Sequence, residues 1–160
     1  MPVQLLKEFL DTNKIKYISI SHSPAFTAQG IAALTHTPGK ELAKTVIVNL
    51  DEVLAMAVLP ASHQVNLSLL RQGARAGAVR LATEREFKDK FPDCETGAMP
   101  PFGNLFGMKV FVDEILSKDK EIAFNAGSHR ELIRLGYDDF ERLVNPQVLS
   151  FARLAGAMAA

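Results

Sequence analysis

Two apolar runs, residues 44–50 and 53–59, meet at Asp51-Glu52, and no other stretch of the chain constrains the fold as strongly. The first, Lys44-Thr45-Val46-Ile47-Val48-Asn49-Leu50, holds four consecutive β-branched residues. Such an unbroken run has the character of a strand buried on both faces. The second, Val53-Leu54-Ala55-Met56-Ala57-Val58-Leu59, is of similar length. The short acidic junction between them predicts a β-hairpin. A lysine opens the first strand. An ammonium is expensive to bury unless it is paired or works in a site, although a strand-end lysine can also snorkel to water.

The rest of the chain adds elements around this hairpin. Leu5, Leu6, Phe9 and Leu10 recur at helical spacing, so the first dozen residues form an amphipathic helix. Residues 17–21 read as a short strand, 27–34 as a short helix capped by Thr27, and 37–40 as a loop. Pro60-Ala61-Ser62 ends the hairpin, and Asn66 or Ser68 caps a helix running through Gln72. Residues 78–81 form a strand. Thr83-Glu84-Arg85-Glu86 is a capping box that opens a helix reaching Phe91. A long loop covers 93–107, followed by strands at 108–112, 121–125 and 131–135. Asp138 or Asp139 caps a last helix through Val144, and Asn145-Pro146 closes it. Strands interleaved with helices, without repeats or linkers, imply one α/β domain over residues 1–160 with a mixed, strongly bent sheet.

The bulk numbers narrow the function. The 160 residues fit one domain, and 48% hydrophobic with 22% charged residues is ordinary globular composition. A formal net charge of +0 and a pI of about 6.9 supply no global field to draw in polyanions. That argues against sequence-independent nucleic-acid binding, DNA included, but not against a local patch gripping one end of an RNA. Cys94 stands alone, so an internal disulfide is impossible. With no apolar run of membrane-spanning length and charges near the N-terminus, the expectation is a cytoplasmic protein with no membrane partner.

Two glycine-containing segments downstream of Lys44 carry candidate chemistry. In Gly97-Ala98-Met99-Pro100-Pro101-Phe102-Gly103, a double proline stiffens the backbone behind a glycine that permits close approach. Backbone N–H groups at Gly97 and Ala98 could clamp a carbonyl or an oxyanion. In Asn125-Ala126-Gly127-Ser128-His129, a serine and histidine adjacent in sequence are an unfavourable nucleophile–base pair, because such partners come from distant segments. No Gly-x-Ser-x-Gly elbow occurs. Cys94 lies between Asp93 and Glu95, which weaken it as a nucleophile. The four histidines lack metal-ligand spacing and no phosphate- or dinucleotide-binding glycine motif occurs, so no metal and no cofactor are expected.

Taken together and in order, Ala43-Lys44-Thr45-Val46-Ile47-Val48, the Gly-x-x-x-Pro loop Gly97-Ala98-Met99-Pro100-Pro101, and Gly127-Ser128-His129 resemble the YbaK/ProX family. These are the prolyl-tRNA-synthetase-associated, insertion-type editing domains, and the likeness covers nearly the whole chain. The resemblance implies a single α/β domain around a mixed, mostly antiparallel, barrel-like sheet flanked by helices. It implies a free-standing trans-editing deacylase that hydrolyses the ester of mischarged tRNA, without metal or covalent intermediate. Alanine, serine or cysteine on the tRNA for proline are the expected acyl groups. The family's functional lysine falls on Lys44 and its loop glycine on Gly97. Expected substrate-binding residues are Phe26, Thr27, Thr45, Val46 and Ala98, with Met99, Pro101, Phe102, Ser128 and His129 completing the pocket. The implied partner is the acceptor end of a mischarged aminoacyl-tRNA, with an aminoacyl-tRNA synthetase as a candidate second partner. A binding module of the same fold that recognises the aminoacyl end without turnover is the alternative.

Overall fold

The computed structural model describes residues 2–21, 41–92 and 94–154. The hairpin is its centre. Strand β2 (Leu42–Leu50) pairs antiparallel with β3 (Val53–Pro60) from Ala43↔Pro60 to Leu50↔Val53. Asp51 and Glu52 both take positive φ, 50° and 71°, the conformation of a two-residue hairpin turn that follows the twist of the strands. Local hydrogen bonds offset the left-handed backbone. The Asn49 carboxamide oxygen accepts from the Glu52 N–H at 2.8 Å, and the Asp51 carboxylate accepts from the N–H groups of Gly77 and Ala78.

Around the hairpin runs a sheet whose order is β1 (Tyr17–Ser21), β8 (Glu131–Gly136), β7 (Glu121–Asn125), β2, β3, β6 (Lys109–Asp113) and β9 (Gln147–Leu149). A short strand, β5 (Val79–Leu81), also pairs with β2. The β1–β8, β8–β7, β2–β3 and β2–β5 ladders are antiparallel, while β2–β7, β3–β6 and β6–β9 are parallel. The mixed, mostly antiparallel α/β architecture expected from the sequence is therefore present. The sheet is open rather than closed, with β1 and β9 as its two ends.

Alternation along β2 and β3 gives each face its own core. Ala43, Ile47, Met56 and Val58 face the larger cluster, which contains Leu6 and Leu10 of helix α1 (Pro2–Thr12) and the ring of Phe140. Val48, Ala55, Ala57 and Leu59 face a second cluster with Leu70 of helix α2 (Leu67–Ala74) and Phe151. Asn66 caps α2, accepting from the Leu69 N–H at 3.0 Å. Phe102 joins the first core from the glycine loop, fully buried, with ring centroids 6.1, 5.5 and 5.6 Å from Phe9, Phe124 and Phe140.

Several local expectations need correction. The capping-box helix, α3 (Glu84–Phe87), is one turn long and passes into a 3₁₀ turn at Lys88–Lys90 instead of continuing to Phe91. The Glu86 carboxylate accepts from the Thr83 N–H as the box requires, and Arg80 holds it as well at 2.6 and 2.9 Å. In the last helix, α5 (Tyr137–Val144), Gly136 is the N-cap. Asp138 and Asp139 lie inside its first turn, where carboxylates suit the positive end of the helix dipole. Pro60 is the last residue of β3 rather than its terminator, and the chain returns at once as β4 (His63–Val65). That strand pairs with β10 (Ala152–Leu154), in a stretch too short and weakly patterned to read from sequence. A short helix, α4 (Glu114–Ser117), and β9 were also not foreseen. The expected helix at 27–34 and loop at 37–40 lie outside the described residues.

Candidate active site at a gap in the sheet

Strand β2 is paired with β3 along nearly its whole length, but its other edge is shared. The parallel ladder to β7 covers only Leu42↔Ala123 and Ala43↔Phe124. The antiparallel ladder to β5 begins at Val48↔Leu81, with the Ala82 N–H bonding the Ile47 carbonyl just before it. Between the two, Lys44, Thr45 and Val46 face no neighbouring strand on that edge among the described residues. These three are half-buried, whereas Ile47, Val48 and Asn49 are buried. The expectation of a strand buried on both faces throughout is thus corrected at its first three positions. β7 ends where β2 continues, and crevices of this kind, at the carboxyl end of a strand whose neighbour diverges, are ready-made ligand sites.

Lys44 sits at the mouth of the gap. Burial pushes its pKa below the ordinary lysine value, and no carboxylate lies within ion-pair distance among the described residues. Its register partner is Leu59, and that of Val46 is Ala57, so Lys44 and Val46 share the face of the second core. Thr45, opposite Val58, points to the other face. The three gap residues therefore cannot form one wall.

One step beyond the last β2–β7 pair, Asn125 stands beside Lys44. β7 then enters the segment Ala126-Gly127-Ser128-His129, which is stitched to the glycine loop. The Gly127 N–H donates to the Ala98 carbonyl at 2.8 Å, and the Glu95 N–H donates to the Gly127 carbonyl at 2.9 Å. The His129 N–H donates to the Glu95 carboxylate at 3.0 Å. The His129 Nε2 lies 2.9 Å from the Thr96 carbonyl. A carbonyl can only accept, so this contact requires Nε2 to carry the proton. The imidazole, only 8% exposed, packs against Gly97. A Cβ on that glycine would lie 3.7 Å from its Cε1. Gly97 itself has φ +85° and is exposed.

The two N–H groups expected to clamp a carbonyl are not equivalent. The Ala98 N–H is already bonded to the Glu95 carbonyl at 3.0 Å. The expectation of two available donors is corrected to one, Gly97. Ala98, Met99, Pro101 and Phe102 are all buried and act as the loop's anchor into the first core. Ser128 Oγ accepts from the Arg130 N–H at 3.1 Å, closing a local turn. Phe26 and Thr27 lie outside the described residues. Sequence reading missed Glu95 and Thr96, which fix His129, because their roles depend on loop contacts across more than thirty positions. It also named Asn125 only as part of a segment. Among the described residues no group of three His, Cys, Asp or Glu side chains could hold a metal ion.

The chain belongs to the aminoacyl-tRNA editing domain family, whose model matches residues 22–143. It is 34% identical over 101 residues to the multifunctional Ser/Thr-tRNA deacylase ProXp-y of Escherichia coli K12, and equally to that of strain O157:H7. The match takes in 62% of this chain and spans 60% of the relatives' length. Among solved structures, that of a hypothetical protein superposes with a TM-score of 0.83 at 21% identity, covering 92% of this chain and 99% of the other. A candidate trans-editing enzyme for prolyl-tRNA synthetase superposes with a TM-score of 0.80 at 18% identity, covering 95% and 97%. At these identities the superpositions establish the shared fold. No helix among the described residues is long and apolar enough to cross a membrane.

Proposed function

We propose that this chain is a free-standing aminoacyl-tRNA deacylase that hydrolyses the ester of a mischarged tRNA at the gap in β2. The carrying observation is the half-buried Lys44, which among the described residues has no carboxylate partner and stands in a break of the strand ladder, inside the span matched by the editing-domain family. A cation in that position suits an anionic or carbonyl ligand, and its partial desolvation strengthens that interaction.

An aminoacyl ester is already activated, so positioning and modest charge stabilisation suffice. In this reading Lys44 holds the terminal nucleotide or the carbonyl side, and the Gly97 N–H fixes the acyl carbonyl. Water adds to the carbonyl carbon. The tetrahedral intermediate then expels the ribose oxygen, which leaves as a hydroxyl after taking a proton, and the amino acid is released as its carboxylate. His129 commits its Nε2–H to the Thr96 carbonyl, which holds the imidazole against Gly97 as a support for that loop. The terminal ribose hydroxyl of the substrate assists in activating the water. A synthetase partner and cytoplasmic action belong to the same proposal.

Selection is steric in this reading, and a small pocket excludes large side chains better than it separates neighbours differing by one methylene. The relatives named for seryl and threonyl esters support placing serine first among alanine, serine and cysteine. The test is deacylation of purified alanyl-, seryl-, cysteinyl-, threonyl- and prolyl-tRNA by wild type and Lys44→Ala. Lysine-dependent hydrolysis of one or two small esters, sparing prolyl-tRNA for proline, is the expected result. Unimpaired hydrolysis by Lys44→Ala overturns the assignment of the lysine. No hydrolysis by folded wild type overturns the enzyme.

A further inference from the structure

Asn125 ends β7 on the same face as Ala123 and, through the Leu42↔Ala123 register, on the same face as Lys44. Its Oδ1 is buried and has no hydrogen-bond partner among the described residues. Buried carboxamide oxygens are almost always satisfied, and one that is not calls for a ligand, a water or an ion. Of the groups assigned to the substrate so far, the Lys44 ammonium and the Gly97 N–H are donors only. They serve the oxygen acceptors of an ester and its ribose, but leave the donors of the same substrate unrecognised.

We propose that Asn125 is a substrate-binding residue whose Oδ1 accepts a hydrogen bond from a donor at the aminoacyl-adenosine terminus, either the α-amino group or the free ribose hydroxyl beside the ester. This rests on the deacylase reading above. Lys44 and Asn125 then form a complementary pair, one donating and one accepting, that grips two atoms of one small ligand. Their adjacency without a mutual bond is what leaves both available. It also explains why an otherwise apolar strand, Ile122-Ala123-Phe124, ends in a carboxamide.

The experiment crosses protein and substrate variants. Wild type, Asn125→Leu and Asn125→Ala are assayed on the ester that wild type hydrolyses fastest. The same ester is also supplied without its α-amino group, and with a deoxyribose in place of the free terminal hydroxyl. With wild type, removing the recognised donor lowers kcat/KM roughly ten- to a hundredfold. With either Asn125 variant the intact ester loses about the same factor, and removing that donor then costs correspondingly less than it does with wild type. The arm in which the loss shrinks identifies the donor; in the deoxyribose arm, what remains is the hydroxyl's share in activating the water. Thermal unfolding adds a readout that a structural role would move the other way: both variants melt at or above wild type, because they delete an unsatisfied buried acceptor. Variants that lose activity equally on all three substrates, or that keep full activity, overturn the role of Asn125 while leaving the deacylase reading intact. Failure of wild type on every ester overturns both.

Discussion

Replacing Gly97 by alanine isolates one physical term. Gly97 has φ +85°, in the left-handed region where a Cβ meets the following carbonyl, at a cost of about 1–2 kcal/mol for an L-residue. Space is not the obstacle. The added Cβ would lie 3.7 and 3.9 Å from Cε1 and Nε2 of His129, which is ordinary contact. The expected penalty is therefore conformational alone. For a chain of this size each kcal/mol shifts Tm by about 2–4 °C, so the drop should be about 2–8 °C. Gly103 makes the opposite control. Its φ is unexceptional, but a Cβ there would collide with the Met108 carbonyl oxygen and come 2.6 Å from Val110 Cγ2. Backbone must move to admit it, so Gly103→Ala should be far more destabilising. A third variant, Gly97→Asn, tolerates the left-handed backbone and should recover most of the stability. It should leave deacylation impaired, because its side chain occupies the approach to the Gly97 N–H. Scanning calorimetry paired with kcat/KM on the preferred ester reads both effects. A Gly97→Ala protein that melts with wild type would refute the backbone argument. One that is less stable but fully active would show that the acyl group does not approach Gly97.

Three further outcomes follow from other sites. Lys44→Met should abolish deacylation yet leave the fold at least as stable as wild type at neutral pH. Burial lowers the folded-state pKa of Lys44, so its ammonium weighs against folding until pH rises through that lowered value towards the unfolded one, and methionine removes the opposition. Equilibrium urea unfolding would show it, and a marked loss of stability would mean that Lys44 is structural. Glu86 is held at about 2, first by its hydrogen bonds to Arg80 and next by the Thr83 N–H. Its folded pKa is depressed, so the stability it adds is present above the unfolded value near 4.5 and lost as pH falls towards 2. Glu86→Gln should flatten the acid limb of a Tm-versus-pH curve in that window, and an unchanged limb would dismiss the interaction. Asp113→Ala should be severely destabilising. Its carboxylate accepts from the N–H groups of Ile115, Phe151 and Ala152 at 2.8–2.9 Å, and stranding two buried donors and one half-buried one costs about 3 kcal/mol or more. Hydrogen exchange would rise first in β10, and full protection there would contradict the assignment.

The parts of the fold visible in the sequence are those held by local physics. The β-branched run and its acidic turn define the hairpin without help from the rest of the chain, and Asn66 caps its helix through a bond three residues away. Glu121–Asn125 and Glu131–Gly136 carry enough apolar residues to be read alone. The missed elements depend on distant partners. β10 exists because β4 lies beside it and because Asp113, nearly forty residues earlier, holds the N–H groups of Phe151 and Ala152. Nothing in Ala152-Arg153-Leu154 announces that. The aspartates of α5 looked like caps because aspartate caps many helices, but the extended Gly136 already ends β8 and leaves them inside the first turn.

For the site the division is sharper, and it bears on how an editing pocket is made. Lys44, the glycine loop and the Gly127 turn could be picked out as residues, but their relation could not, because it is a matter of register. β2 is claimed by β7 up to Ala43 and by β5 from Val48, and the residues left between are those that carry the lysine. A one-residue shift in the β2–β7 ladder would move Lys44 into the paired region or turn Asn125 to the other face. The same register decides that Thr45 cannot share a wall with Lys44, and that Asn125, unremarkable in sequence, stands next to it. The chemistry of the site is thus set less by which residues are present than by where two neighbouring strands stop. A substitution that lengthens the β2–β7 ladder should therefore be more damaging to activity than to stability, since it would add backbone bonds while closing the gap. Replacing Gly127, whose φ is +99°, by a residue that favours extended backbone is the most direct way to attempt it. Loss of deacylation with unchanged secondary structure by circular dichroism is the result expected, and full activity would mean that the gap is not the site.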